Sequence, residues 1–535
     1  MRITHLGPAL LVLSALVGCG GSTIMAPPAG CVNASSTIIC TQSGQVQGVI
    51  EGNVRAFRGI PFAAPPISNL RWRPPAPPAS WQGVRSAASF GNICPQTDFN
   101  GGVQGNEDCL TLNIFTTSPP PNAPQPVMVF IHGGANLLGS AQGTPDVPAP
   151  PLVTRGTVLV TVQYRLGLLG FFAHPALTTE GGGTSGNYGV WDMIAALTWV
   201  HNNISNFGGD PNNVMVFGQS AGSSDVQALL VSPPAQGLFV RAGMESSVIP
   251  GGDLSGGLAQ AYAFDAPLVP FVGCASAQDV LACLRAVPAN TIVQAQLTPG
   301  LFIFIGLAND PRVIPADPFA KLAQQGSPVP LLIGSNSEDG VGLNGENDPN
   351  VPLSAAAYAA AIHAQFDPLM AGAGDQVLML YPASAYDTPE YAHIAVEGDY
   401  IITCPTRNLA RAAAGAQRPA IWRYLFTHRY KNDTFLNSLR AFHTAELSFV
   451  FGNFEAVYYT QTPYTPTAAE LQLVDQIMGY WTRFAATGDP NGAGAVPWLR
   501  YDTANDNVLQ LGDTPATING FHNTQCDYLS TLPQP

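Results

Sequence analysis

Short apolar runs recur along the chain and alternate with segments of helical periodicity. Five runs have the length and composition of strands buried on both faces: 127–131 (VMVFI), 157–162, 214–217, 329–333 (VPLLI) and 421–426. Three segments carry apolar residues at helical spacing: 191–200 (WDMIAALTWV), 353–366 and 468–487. Strand and helix in alternation predict an α/β fold with a mostly parallel, doubly wound central sheet flanked by helices.

Two further stretches complete the predicted architecture. Residues 44–62 alternate apolar and polar positions around Glu51-Gly52-Asn53, which predicts a hairpin at a sheet edge. Residues 250–330 are irregular and rich in Ala, Gly and Pro, with a helical patch at 277–286, and we expect them to form a large loop and helical insertion over a pocket. The sequence has no visible internal repeat, so we expect residues 41–535 to form one domain.

Composition narrows the choice of partners. The chain has 535 residues, of which 46% are hydrophobic and 10% charged, and its net charge is −14. Lys321 and Lys431 are its two lysines, and no basic patch is visible in the sequence. A chain of this charge is not expected to bind nucleic acid.

The N-terminus has the pattern of an export signal. A basic start, Met1-Arg2, precedes a short apolar core at 9–17, which is too short to span a membrane stably. The core ends in Leu-Val-Gly-Cys at 16–19, which resembles a bacterial lipobox, in which the cysteine carries the lipid. We therefore predict a lipoprotein-type signal peptide over 1–18, lipid attachment at Cys19, and a flexible tether and N-terminal segment over 19–40. The alternative is a plain secretory signal with an incidental cysteine.

This pattern sets the expected localisation, which is outside the cytoplasm, as a bacterial outer-membrane lipoprotein or as a secreted or periplasmic protein. Membrane contact is expected only through the N-terminal lipid.

The cysteine count agrees with export. Removing Cys19 leaves eight cysteines, and an even number in an exported chain predicts disulfides rather than thiols or metal ligands. Sequence alone does not fix connectivity, but close spacing favours three local pairs and leaves a fourth: Cys31–Cys40, Cys94–Cys109, Cys274–Cys283 and Cys404–Cys526. CxxC and HExxH motifs are absent from the sequence, so we expect no metal site.

The pentapeptide Gly-Gln-Ser-Ala-Gly at 218–222 carries the strongest chemical signal. It lies between the predicted strand 214–217 and a helix-compatible run at 224–230. A strand that turns sharply into a helix exposes the hydroxyl of Ser220, and the flanking glycines are needed because a Cβ would clash in so tight a turn. The helix start also directs N–H groups and a positive dipole toward a developing oxyanion. Ser220 is thus a candidate nucleophile, and the alternative is an ordinary turn.

A serine nucleophile needs a base, and the base needs a carboxylate that orients it. Among the histidines after the serine, His443 stands out because it precedes Thr-Ala-Glu and then an apolar run at 447–451, which places it on a loop entering packed structure. Glu446 is then available as a supporting carboxylate. The predicted strand 329–333 runs into a loop with Glu338 and Asp339, and either acid fits, because such folds place catalytic groups at the carboxyl ends of buried strands.

A glycine-rich loop follows another predicted strand. Strand 127–131 ends in His-Gly-Gly-Ala at 132–135, the type of loop that supplies backbone donors to an oxyanion hole in this class of site. Two N–H groups from this loop and the N–H of Ala221 would hold a tetrahedral intermediate.

These motifs together resemble those of the type-B carboxylesterase family, which has the α/β-hydrolase fold. The resemblance extends from about residue 44 to 528. The matching segments, in order, are 57–66 (FRGIPFAAPP), 107–113 (EDCLTLN), 164–167 (YRLG), 207–222 (FGGDPNNVMVFGQSAG) and 442–447 (FHTAEL).

The resemblance implies roles for particular positions. It makes Ser220 the nucleophile and His443 the base. The family's catalytic glutamate directly precedes a glycine, so Asp339 is the matching position, a change from Glu to Asp that leaves Glu338 as an alternative. The matching oxyanion donors are Gly134, Ala135 and Ala221. Family disulfides resemble 94–109, 274–283 and 404–526.

The resemblance also implies the activity. We expect residues 41–535 to form a catalytic domain that cleaves small-molecule carboxylic esters through an acyl-enzyme, without a cofactor. Residues 95–108 contain no tryptophan, unlike the corresponding loop of cholinesterases, so choline esters are not expected as preferred substrates. The alternatives are a lipase, an amide or carbamate hydrolase with the same triad, or a non-catalytic adhesion protein with this fold.

Overall fold

The computed structural model describes residues 31, 33–98, 101–142, 150–247, 257–297, 306–343, 348–415, 419–457 and 459–533. The predicted signal peptide, Cys19 and most of the predicted tether lie outside these residues. The strands of the described chain are β1 (Ile38–Thr41), β2 (Gly44–Gln47), β3 (Val49–Glu51), β4 (Val54–Pro61), β5 (Val84–Ser86), β6 (Gln96–Thr97), β7 (Val103–Gln104), β8 (Thr111–Thr117), β9 (Gln125–Ile131), β10 (Val158–Val162), β11 (Gly209–Gln219), β12 (Arg241–Glu245), β13 (Leu331–Asn336), β14 (Ile421–Phe426), β15 (Asn507–Leu511) and β16 (Ala516–Asn519).

The helices of the described residues are α1 (Pro150–Val153), α2 (Gly167–Phe171), α3 (Pro175–Glu180), α4 (Tyr188–Asn203), α5 (Ala221–Val231), α6 (Gly257–Asp265), α7 (Leu268–Phe271), α8 (Val280–Ala286), α9 (Ala289–Ala295), α10 (Pro318–Gln325), α11 (Ala355–Phe366), α12 (Ala373–Leu380), α13 (Pro389–Gly398), α14 (Cys404–Ala413), α15 (Thr434–Leu439), α16 (Leu447–Phe451), α17 (Ala468–Thr487) and α18 (Asn523–Leu529). A π-helical turn, Asp399–Thr403, joins α13 to α14.

One large sheet organises the described chain. It has 11 strands in the order β16-β15-β14-β13-β12-β11-β9-β10-β8-β4-β3. Neighbours from β10 through β9 to β15 are parallel, whereas β8, β4 and β3 at one side and β16 at the other are antiparallel. The sheet is therefore mostly parallel and doubly wound, as the sequence predicts, and the carboxyl ends of its central strands share one edge.

Apolar side chains on both faces explain why these runs form central strands. Every residue of β10 and β14 is buried. One face packs on α4 and α5, and the other on α16 and α17, so each face has its own hydrophobic cluster. On the second face Phe130, Phe217 and Phe451 pack with ring centroids 5.0 to 5.9 Å apart.

The predicted edge hairpin and the predicted insertion are both present. β3 pairs with β4 around the turn at 52–53 and forms one edge of the large sheet. The described part of the insertion contains the helices α6 to α10 in sequence, with irregular backbone at 306–317. Gln296, just after α9, accepts a hydrogen bond at 2.6 Å from the N–H of Leu168, which ties the insertion to the sheet domain near α2.

The structure contains the disulfides Cys31–Cys40, Cys94–Cys109, Cys274–Cys283 and Cys404–Cys526, the four pairs favoured by the sequence. The helices of the described ranges include none with both the length and the apolar character of a membrane span.

Candidate active site

Ser220 occupies the turn between β11 and α5. Its backbone angles are φ 57° and ψ −127°, a region that L-residues rarely adopt and that costs on the order of 1–3 kcal/mol. Three hydrogen bonds maintain this conformation. The Ser220 N–H donates to the carbonyl of Glu245 on β12 at 2.9 Å, and the N–H groups of Ser223 and Ser224 donate to the Ser220 carbonyl at 2.9 and 3.1 Å. The strain is thus supported by the neighbouring strand and by the first turn of the helix.

The two glycines of the turn have no room for a side chain. A Cβ at Gly218 would lie 2.4 Å from the carbonyl oxygen of Gly222, and a Cβ at Gly222 would lie 2.3 Å from the carbonyl oxygen of Ile131. These neighbours are backbone atoms of helix α5 and strand β9, which do not move aside. The structural reason for both glycines is therefore the one the sequence suggested.

His443 and Asp339 are in direct contact. His443 Nδ1 lies 2.8 Å from Asp339 Oδ1, and Asp339 is fully buried. The other carboxylate oxygen accepts hydrogen bonds from the Ser246 hydroxyl at 2.9 Å and from the Asn336 N–H at 2.6 Å. Because this carboxylate accepts from Nδ1, the proton of the neutral imidazole lies on Nδ1 and the lone pair on Nε2.

The lone pair of His443 faces the serine turn. His443 Nε2 lies 3.3 Å from the side-chain amide nitrogen, Nε2, of Gln219, the residue that precedes Ser220. Within the described residues the Ser220 hydroxyl makes no hydrogen bond of its own. Catalytic hydrogen bonds are often long in enzymes without substrate and tighten in the Michaelis complex, so this geometry is compatible with a serine–histidine pair.

Glu338, the alternative acid, points away from His443. Its carboxylate accepts from the Ser337 hydroxyl at 2.5 Å and from the Ala441 N–H at 3.3 Å, and lies 3.7 Å from Arg440. A parallel β-bridge pairs Glu338 with Phe442, which brings the next residue of each loop, Asp339 and His443, side by side.

The glycine-rich loop after β9 lies against the serine. Gly134 and Ala135 have positive φ angles of 109° and 56°. A Cβ at Gly133 would lie 2.9 Å from Ser220 Cβ, which shows how closely the loop approaches the turn. Across the described residues, the N–H groups of Gly134, Ala135 and Ala221 have no hydrogen-bond partner. Three unpartnered donors beside one serine hydroxyl are the arrangement that an oxyanion hole requires.

Comparison with known proteins identifies the family. A model of the carboxylesterase family matches residues 35–529. The chain belongs to this family. Among its relatives, para-nitrobenzyl esterase of Bacillus subtilis (strain 168) is 34% identical over 498 residues, which cover 90% of this chain and 96% of the relative. Fumonisin B1 esterase of Sphingopyxis macrogoltabida is also 34% identical, with 90% and 87% covered.

A solved structure agrees with the sequence relatives. A PNB esterase structure superposes with a TM-score of 0.76 at 31% identity, covering 92% of this chain and 100% of that one. The fold is therefore the α/β-hydrolase fold that the sequence resemblance implied. As a member of the carboxylesterase family, with relatives named esterase, carboxylesterase and acylcarnitine hydrolase, this chain is a carboxylic ester hydrolase.

Further carboxyl groups are buried behind Asp339 in this family member. Glu446 contacts the side-chain amide of Asn336 rather than the imidazole, so it supports the site through Asn336, whose N–H holds Asp339. Burial, together with the charge of Asp339, raises the pKa of Glu446 to about 7. Glu245 accepts from the Trp481 indole at 2.5 Å, and burial raises its pKa well above the ordinary value.

Sequence reasoning missed Ser246, Asn336 and Gln219 as parts of this carboxylesterase site. Asn336 ends β13, so the rule that functional groups follow buried strands would have found it. Ser246 follows β12, which the apolar pattern did not predict. Within the described ranges, no cluster of His, Cys, Asp and Glu side chains is arranged to hold a metal ion.

Proposed function

We propose that this carboxylesterase acts through a Ser220–His443–Asp339 triad and an acyl-enzyme intermediate. The observation that supports the proposal most directly is the 2.8 Å contact between His443 Nδ1 and the buried carboxylate of Asp339, with Nε2 directed at the serine turn. Ser220 Oγ attacks the ester carbonyl while His443 Nε2 removes its proton. Asp339 keeps the imidazole in the required tautomer and stabilises its charged form.

The oxyanion of the tetrahedral intermediate accepts hydrogen bonds from Gly134, Ala135 and Ala221. Collapse of the intermediate expels the alcohol, which His443 protonates, and leaves the acyl group on Ser220. Water, deprotonated by His443, then attacks the acyl carbonyl and releases the acid. Each N–H donor in such a site is typically worth about 10²–10³ in kcat.

Small-molecule esters are the proposed substrates. The names of the relatives refer to para-nitrobenzyl esters, fumonisin B1, acylcarnitine and cocaine. We infer from these names that the substrate of this chain is also a small-molecule ester.

Export is the proposed route to the place of action. The disulfides support an oxidising compartment. Residues 1–18 serve as the signal peptide, and Cys19 carries the lipid in the proposed mature protein. Mass spectrometry of the mature N-terminus checks this, because a diacylglyceryl-modified cysteine differs from a plain secretory cleavage product.

Hydrolysis of p-nitrophenyl esters from acetate to palmitate tests the catalytic proposal. Ser220→Ala is expected to abolish turnover, and a fluorophosphonate is expected to label the wild type but not this variant. Ser223→Ala, three residues further on and also buried, is the matched control and should retain turnover. A Ser220→Ala protein that still turns over these esters would remove the nucleophile assignment.

A further inference from the structure

Asn136 anchors the loop that follows β9. It is 3% exposed and has a φ of 56°. Its amide nitrogen lies 3.3 Å from Asp225 Oδ1, and its amide oxygen accepts from the Tyr164 hydroxyl at 3.2 Å. Its backbone carbonyl accepts from the Gly167 N–H at 2.6 Å. One buried residue thus ties the loop both to α5 and to the segment between β10 and α2.

Asp225 belongs to the helix that begins at Ser220. It lies four residues after Ala221 on α5, so both residues share one helix face, one turn apart. Asp225 is fully buried, and its Oδ2 has no hydrogen-bond partner among the described residues. A buried carboxyl with one unsatisfied oxygen is costly to the fold.

We propose that Asn136 and Asp225 are positioning residues that hold the two parts of the oxyanion hole in register. The loop supplies Gly134 and Ala135, and the helix supplies Ala221. The contact between the Asn136 amide and the Asp225 carboxyl is the direct side-chain link between these parts. The inference rests on the proposed function, because it assumes that these three N–H groups bind the oxyanion.

The conformation of the loop explains why it needs an anchor. Ala135 and Asn136 both have φ 56°, in the left-handed region, where non-glycine residues are rarely found. Asn tolerates this region better than most residues, and here its side chain is also bonded at both ends. The Ala135 N–H lies in the peptide between Gly134 and Ala135, which both have positive φ, so its direction depends on this conformation. A displacement of about 1 Å in such a site is enough to lower a rate about 10²-fold.

The link is also expected to respond to pH. Burial raises the pKa of Asp225 to about 8, so the carboxyl is neutral at pH 7 and ionises in mildly alkaline solution. Burial, together with the Asp225 charge, raises the pKa of Tyr164, which is in contact with Asn136, well above its ordinary value. Other ionisable groups on the elements around α5 are His132, whose pKa burial lowers to about 4, Asp192 paired with Arg165, Glu245 and Lys321.

Kinetics on p-nitrophenyl acetate test the proposal with four variants. Asp225→Ala and Asn136→Gly are each expected to lower kcat about 10- to 100-fold with KM within about threefold, because the donors are misplaced while the acyl pocket is intact. The kcat of the double variant should be no lower than that of the more impaired single variant, because both substitutions remove the same contact. Asp265→Ala is the matched control: Asp265 is a fully buried carboxyl on α6 that also has an unpartnered oxygen, and its removal should lower Tm but leave kcat within twofold.

A conservative variant separates positioning from packing. Asp225→Asn keeps the shape and the hydrogen-bond acceptor but does not ionise, so kcat at pH 7 should stay within about threefold of the wild type. Ionisation of Asp225 in the wild type places a negative charge one helical turn from the Ala221 N–H and opposes the developing oxyanion, so kcat should fall above pH 8, whereas kcat of Asp225→Asn should not. If Asp225→Ala does not fold, the pH dependence of kcat in the wild type and in Asp225→Asn still tests the proposal.

Three results would overturn the proposal. The first is a kcat within twofold of the wild type for both Asp225→Ala and Asn136→Gly. The second is a double variant whose loss of kcat equals the product of the two single losses. The third is an Asp225→Asn protein whose kcat falls above pH 8 as that of the wild type does. Ser220→Ala, measured alongside, keeps the two proposals apart. If that variant is inactive and the positioning variants behave as the wild type, only the positioning inference fails, whereas an active Ser220→Ala removes the proposed function itself.

Discussion

Two adjacent carboxylates, Glu338 and Asp339, differ in what surrounds them. Asp339 is fully buried and accepts hydrogen bonds from Ser246, Asn336 and His443. Glu338 is partly exposed, and its nearest cation is Arg440. The surroundings of Asp339 suit a carboxylate that orients the imidazole of His443. Those of Glu338 suit a carboxylate that binds the neighbouring loop through Ala441 and Arg440.

Paired amide substitutions test this difference. Asp339→Asn is expected to lower kcat about 10³- to 10⁴-fold, because an amide at this position favours the wrong imidazole tautomer. Glu338→Gln is the matched control and should stay within about threefold of the wild type. Initial rates on p-nitrophenyl butyrate at pH 7.5 measure both, and reversed effects would make Glu338 the acid.

Glu446 gives the fold a pH dependence. Its pKa is raised from the ordinary value of 4.5 to about 7, so the folded state retains a proton that the unfolded chain releases. The stabilisation from this group is complete below about pH 4.5 and is lost as the pH rises through about 7, at roughly 1.4 kcal/mol per pH unit. The wild-type Tm should therefore fall relative to that of Glu446→Gln between pH 5 and pH 8. A Tm difference that does not change with pH would contradict this assignment.

At the scale of elements, the acid loop is clamped between β13 and the α13 helix with its π-helical extension. A Cβ at Gly340 would lie 2.1 Å from the Ile394 carbonyl oxygen, and a Cβ at Gly398 would lie 2.6 Å from the Gly340 nitrogen. Two glycines thus let helix and loop meet backbone to backbone. This clamp fixes the position of Asp339, whose side chain is one methylene shorter than that of glutamate.

Alanine at Gly340 should displace the loop. We expect Gly340→Ala to lower kcat about 100-fold and to reduce Tm, because the neighbouring backbone has to move. Gly415→Ala, just after α14, is the control: its Cβ would come no closer than 3.1 Å to another atom, and kcat should stay within twofold. Equal kcat values for the two variants would show that the clamp does not position Asp339.

The elements differ in how far the sequence predicts them. β14 and α17 have the predicted bounds, because apolar periodicity and a capping box at Thr467 mark them locally. The apolar pattern does not predict β8 and β12. Polar residues such as Asn113 in β8 and Glu245 at the end of β12 break the pattern, although both side chains are buried. The residue pattern alone leaves Glu338 and Asp339 both open, and only the family resemblance favours Asp339. The pairing of Glu338 with Phe442, which sets the two acids apart, joins segments that are distant in sequence. Local pattern predicts elements, whereas register between remote segments is decided by packing.

On the scale of the whole molecule, the disulfides close loops of very different length. Cys404 and Cys526 are 122 residues apart, whereas Cys31 and Cys40 are 9 apart. In the chain-entropy account a longer loop constrains the unfolded chain more. Replacing Cys404 and Cys526 by alanine should therefore lower the free energy of unfolding by about 5 kcal/mol, and replacing Cys31 and Cys40 by less. Urea unfolding of both double variants measures the difference, and the opposite order would contradict the entropic account.

The long disulfide loop also decides the fate of a nicked molecule. Residues 404 to 526 form a covalent ring that carries His443 but neither Ser220 nor Asp339. A protease that cuts one peptide bond inside the ring produces two polypeptides that stay joined through sulfur, so the imidazole is retained beside the serine. Such a nicked esterase should migrate as two bands on a reducing gel and as one on a non-reducing gel. The proposed catalytic assembly can thus survive a break in the chain between two of its members.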